Sequence, residues 1–142
     1  MNRFFTSQSA GALVALAFFL AIGSPVHSAD IKVTLSGAEE TPPVMTKASG
    51  VAMITIGADM SVSGTIKTTG IEATMAHVHV GAVGESGPPI ITLAKDANGV
   101  WVIPAGSKLT DEQYAKFKAG LLYVNVHSAD HKPGEIRAQL KP

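Results

Sequence analysis

The chain has 142 residues, with 11 basic and 11 acidic side chains, no cysteine and 46% hydrophobic content. That length gives room for one domain, and the apolar fraction is too high for a disordered chain. Balanced charge removes the general basic field on which a nucleic-acid binder or a polybasic membrane protein relies, while the lack of cysteine excludes disulfides, thiolate metal sites, cysteine nucleophiles and a lipidated N-terminal cysteine.

Residues 1–29 read as a signal peptide. Arg3 is the only charge before Asp30, Ala12–Gly23 is wholly apolar apart from its glycine, and Ser24-Pro25 breaks the run. A charged start, a short apolar stretch and a small-residue exit are the parts of a secretory leader. Twelve residues rise only about 18 Å as a helix, short of the roughly 30 Å hydrocarbon core, so no membrane anchor is expected after cleavage. Cleavage fits after Ser28 or after Ala29, and the product is expected in a periplasmic or extracellular compartment. A mature chain starting at Asp30 has 113 residues, 10 basic and 11 acidic groups, and four histidines confined to two short clusters, His77/His79 and His127/His131.

The domain at 30–142 reads as short strands between turns. Ile31–Ser36 alternates Ile31, Val33 and Leu35 with Lys32, Thr34 and Ser36, the period of a half-buried strand. Gly37–Thr46 contains Pro42-Pro43 and reads as loop, with the consecutive Glu39 and Glu40 as solvated loop residues. Val51–Ile56 and Ser61–Thr68 form a hairpin about Gly57-Ala58-Asp59. Met75–Val80 is the next strand, and Gly81–Pro89 is a glycine- and proline-rich loop. Ile90–Leu93 and Val100–Ile103 flank an Asn98-Gly99 reversal, and Trp101 reads as a core residue. Thr110-Asp111-Glu112-Gln113 has the form of a capping box, Leu109 and Tyr114 of a hydrophobic staple, and Gly120 of a left-handed stop, so one short helix is expected there. Leu121–His127 and Glu135–Leu140 close the chain. The prediction is an all-β fold, an antiparallel β-sandwich or small barrel of about seven or eight strands with one short helix.

Three strands each carry one aliphatic and one functional face. Met75, His77 and His79 oppose Ala76, Val78 and Val80; Tyr123, Asn125 and His127 oppose Leu122, Val124 and Val126; Glu135, Arg137 and Gln139 oppose Ile136, Ala138 and Leu140. In one sheet, the functional faces would join into a polar binding face. Histidines at i and i+2 on a strand lie roughly 6–7 Å apart, and both rings can turn toward one cation, a ligand pair suited to zinc or copper. His127 would supply a third nitrogen and His131, Asp130 or Glu135 a fourth group; Met75 is a soft ligand on the same face, suited to Cu(I). The same residues also fit a structural network, with imidazoles bonded to the Gly81–Pro89 backbone and Glu135 paired with Arg137 or a lysine. No G-x-S-x-G elbow, paired-carboxylate geometry or phosphate-binding glycine fingerprint is present.

Four blocks in order, Leu35–Val44 (LSGAEETPPV), Ala76–Gly81 (AHVHVG), Gly120–Ser128 (GLLYVNVHS) and Pro133–Leu140 (PGEIRAQL), resemble the CHRD domain, named after the developmental regulator chordin. The resemblance spans about Ile31 to Leu140, and a leader followed by a lone domain is the layout of its bacterial members. It implies a β-rich extracytoplasmic module, supplies no catalytic residues, and carries the His77, His79, His127, Glu135 and Arg137 positions within its blocks. Three functions remain open: a non-catalytic binding module presenting this face to an extracytoplasmic partner; a copper- or zinc-binding protein using His77, His79 and His127 with His131 or Glu135; and a superoxide-dismutase-like metalloenzyme, for which the ligand complement is incomplete.

Overall fold

A computed structural model describes residues 28–142; the expected signal peptide, residues 1–29, lies outside the described residues except for Ser28 and Ala29, which open the first strand. The first strand, β1 (Ser28–Ser36), buries Ile31 and Leu35 and turns its lysine and threonine side chains away. It pairs along its whole length with β2 (Ser49–Gly57), where Gly50, Ala52, Ile54 and Ile56 face inward and Val51 and Met53 outward. The expected reversal at Gly57-Ala58-Asp59 leads into β3 (Val62–Thr69), with Met60 in the left-handed region and the Asp59 carboxylate accepting from Ser61. The strand β4 (Ala73–Val80) follows, then β5 (Pro89–Thr92), β6 (Ala94–Lys95) and β7 (Trp101–Val102).

The one α-helix among the described residues, α1 (Asp111–Lys118), has the capping box read from the sequence: Thr110 accepts from the Gln113 amide, and the Gln113 side chain accepts from the Thr110 amide. Leu109 is buried and Tyr114 packs against the core, as a hydrophobic staple does. At the other end Gly120, φ +73°, lets Gly120 N–H reach Phe117 O and Leu121 N–H reach Lys116 O, a Schellman closure. Two strands remain, β8 (Leu122–Ser128) and β9 (Ile136–Leu140).

All nine strands among the described residues belong to one antiparallel sheet in the order β5-β4-β8-β9-β1-β2-β3-β7-β6. Its two end strands, β5 and β6, are separated in the chain only by Leu93, whose N–H donates to Ala76 O of β4. The single stretch 89–95 therefore pairs with β4 along its first part and with β7 along its last. That curls the sheet into a nearly closed barrel, the barrel form of the expected all-β fold. Closure is weakest between β1 and β9, which share only the Ser36–Arg137 register pair. Inside lie the aliphatic faces, with Leu35, Ile54, Ile66, Val78, Val124 and Ile136 almost fully buried and Trp101 and Phe117 among them.

Candidate functional site

The strands β4, β8 and β9 are neighbours, so the three functional faces do share one side of the sheet. The register sets His79 opposite Tyr123, His77 opposite Asn125, Met75 opposite His127, and Asn125 opposite Arg137. The difference from the sequence reading is that this face is not an open surface. Every residue of β8 is buried on both sides, because three loops fold over the outside of the barrel at this point.

The first cover is the loop 81–88. Its backbone is tied down by the outer-face side chains: Arg137 donates to Ala82 O at 2.8 Å and Glu85 O at 2.7 Å, and Gln139 donates to Gly81 O and Gly120 O, both at 2.8 Å. The Tyr123 hydroxyl accepts from Gly87 N–H at 3.1 Å. Gly87 is the tight point, because a β-carbon there would overlap the Val80 carbonyl oxygen. Arg137, 2% exposed, thus spends its fork on main-chain carbonyls and lies over the Tyr123 ring at 3.5 Å. Tyr123, Arg137 and Gln139 hold the loop against the sheet.

The second cover is the loop 37–48. Glu40, expected as a solvated loop residue, is buried and accepts from the Asn125 side-chain amide. Burial pushes its carboxyl up to about 7 despite the opposing pull of the Thr41 backbone, Arg137 and Asn125. Gly134 closes over the pair, leaving no room for a β-carbon against Asn125 and Glu40. Consecutive carboxylates in a Pro-rich stretch carry no signal of burial, and the partner lies 85 residues away. The third cover is the turn 129–135. Glu135 precedes β9 and does not pair with Arg137; it accepts from the Thr46 hydroxyl at 2.7 Å. Burial raises its carboxyl, but the Ser128 and Thr46 hydroxyls and the His131 charge together hold it below the usual range.

Inside these covers three imidazoles converge. One nitrogen from each of His77, His79 and His127 lies within 4.8 Å of the others. His79 Nδ1 is 2.9 Å from Gly87 O and His127 Nδ1 is 2.8 Å from Lys132 O. A carbonyl only accepts, so both rings carry hydrogen on Nδ1 and keep a lone pair on Nε2 in the neutral form. His77 Nδ1 stands 2.9 Å from His127 Nε2 and donates to it. His79 Nε2 is buried and finds no hydrogen-bond partner among the described residues. Burial lowers all three rings below the ordinary imidazole value, reinforced at His77 by the His127 charge and opposed at His79 and His127 by their carbonyl partners. They are neutral, and therefore able to ligate, further into the acid range than free imidazole.

Of the histidines and carboxylates read as ligands, His77, His79 and His127 form the group; Asp130, His131 and Glu135 do not join it. The His131 amide is used in the turn, bonded to the Ser128 hydroxyl at 3.2 Å. Met75, on the same face, is 46% exposed at the edge of the cluster. Ligand nitrogens of a tetrahedral zinc site stand roughly 3.3 Å apart, given bonds of about 2.0–2.1 Å, so an ion would draw the three nitrogens together and replace the His77–His127 hydrogen bond, with half-buried His77 the ring freest to turn. The chemistry of the donor set fits zinc or copper: three neutral imidazoles, two of them oriented from behind by backbone carbonyls, as metal-ligating histidines are.

A model of the CHRD domain family matches residues 31–140. No curated protein and no solved structure matches the chain.

Proposed function

The chain belongs to the CHRD domain family, and from that membership we propose that it is an exported, non-catalytic binding module whose ligand is a zinc or copper ion held by His77, His79 and His127. The observation that carries the reading is the buried lone pair of His79 Nε2, left without a protein partner beside two further imidazole nitrogens. Leaving a buried polar atom unpaired costs about 1–3 kcal/mol, and a cation placed among the three nitrogens removes that cost. Burial of Tyr123, Asn125 and Arg137 beneath the loops supports a small ligand over a protein docked on the sheet face. Export rests on the apolar leader, Ala12–Gly23, ahead of the domain.

The test is metal content and thermal unfolding of the purified protein with added Zn(II) or Cu(II), beside a His77→Ala/His79→Ala variant. One ion per chain is expected. An ion at a hundred times its dissociation constant adds about 2.7 kcal/mol to stability, and both the ion and the shift should vanish in the variant. Absence of bound metal in the unaltered protein, or a shift that persists in the variant, overturns the reading.

A further inference from the structure

The three imidazoles leave a fourth position, and the strand that supplies two of them also supplies the residue nearest to it in register. Met75 precedes His77 and His79 on the same face of β4 and stands directly across from His127 on β8. Directly opposed residues of an antiparallel pair have β-carbons about 4.5–5.5 Å apart, and methionine, with three rotatable bonds, can swing its sulfur across that gap.

The backbone at this point is built for such an arrangement. The β4–β8 register slips between Ala73 and Met75, so that Thr74 is the extra residue of a bulge. Its hydroxyl is bonded to His127 O at 3.3 Å, which pins the bulge to one of the three imidazole residues. Bulges re-aim the side chains that follow them, and here the residue re-aimed is Met75, left 46% exposed while His127 across from it is 6% exposed.

Resting on the reading of the histidines as ligands, we infer that Met75 is the fourth ligand and that the ion the site selects is cuprous copper. A thioether is a soft donor that suits Cu(I) and adds little for Zn(II), which is content with three imidazoles and a water. Placed at the exposed edge, the sulfur is also the group an arriving ion meets first.

The experiment measures Cu(I) affinity by competition with a chromogenic Cu(I) chelator under reducing, anaerobic conditions, and Zn(II) affinity by competition with a zinc indicator, for the unaltered protein and for Met75→Leu. Leucine keeps the volume at a half-exposed position, so an unchanged melting temperature is expected for the metal-free variant. The substitution should lower Cu(I) affinity at least tenfold and leave Zn(II) affinity within twofold. X-ray absorption of the Cu(I) form should contain a copper–sulfur shell that Met75→Leu removes; that reading stands even if the variant folds poorly, because the unaltered protein alone shows or lacks the shell. Binding of both ions with no copper–sulfur shell, or an equal loss for both ions in Met75→Leu, overturns the role of Met75 while leaving the three-histidine site intact. Failure of the unaltered protein to bind either ion overturns both.

Discussion

Tyr123 lies parallel to His79, with ring centroids 4.8 Å apart and 8° between the planes, and Arg137 covers the same tyrosine at 3.5 Å. The strand order puts Tyr123 on β8 between His79 on β4 and Arg137 on β9, so a cation, a phenol and an imidazole form one stack across three strands. The stack fixes the plane of His79, and the carbonyl of Gly87 fixes its rotation within that plane.

Arg137→Met tests how much of this rests on the guanidinium. Its two short bonds go to Ala82 O and Glu85 O, and removing them unties the loop from the sheet and leaves the space of a fully buried side chain imperfectly filled. A loss of about 2–4 kcal/mol in urea unfolding is expected. Arg137→Lys should recover less than half, because an ammonium cannot reproduce the fork that reaches both carbonyls. A loss under about 1 kcal/mol for the methionine variant would show that the loop holds itself down without the arginine.

Gly87→Ala should act on the site and not merely on the loop. A β-carbon there overlaps the Val80 carbonyl oxygen, so the loop must lift and take with it the carbonyl that orients His79. Loss of such an outer partner typically costs 10–100-fold in metal affinity, and a fall in that range is expected in a zinc titration. Gly84→Ala, in the same loop, meets nothing within 4 Å although its φ of +78° makes any side chain strained. It should cost stability of about 1 kcal/mol and leave zinc affinity unchanged. Equal effects of the two substitutions on affinity would contradict the role given to Gly87.

Glu40 makes a pH dependence of unusual sign. Its carboxyl is held at about 7 in the folded protein against an ordinary value of 4.5, chiefly by burial. The folded state therefore keeps a proton that the unfolded state has lost, and the stability it contributes is complete below pH 4.5 and is lost as the pH rises to about 7. Glu40→Gln, which retains an acceptor for Asn125, should remove this decline, so that the variant gains on the unaltered protein between pH 5 and 8. Parallel stability curves for the two proteins over that range would refute the assignment.

The elements visible in the sequence are those specified by neighbours. The Thr110–Gln113 capping box, the Leu109–Tyr114 staple, the Gly57–Asp59 reversal and the alternation that gives β4 and β8 one aliphatic and one functional face each all depend on residues within a few positions of one another. The barrel closure depends on Leu93 lying between two strands whose partners are β4 and β7, which no local period encodes. Burial of the functional face was hidden for the same reason: Tyr123, Asn125 and Arg137 read as an exposed polar row because their cover comes from Gly87, Glu40 and Glu85, distant in the chain. Glu135 stands just ahead of β9, and its bond to the Thr46 hydroxyl, 89 residues away, has no local signature either.

Proton competition gives the sharpest test of the site as a whole. Each imidazole must be neutral to ligate, and metal binding displaces whatever protons the rings hold. Burial lowers His77, His79 and His127 below the ordinary imidazole value, so zinc affinity should hold to lower pH than it would for free imidazoles and then fall, steepening toward the loss of three protons per ion. The neutral rings also contribute folding stability that is present above pH 6.5 and is lost as the pH falls through their folded values, a trend opposite to that of Glu40 in the same window. In Glu40→Gln the histidine trend should therefore stand alone, as a metal-free stability that rises with pH from 5 to 7. Zinc affinity that falls with acid as early as it would for three free imidazoles would mean that the rings are protonated more readily than burial allows, and that the three imidazoles are not enclosed together.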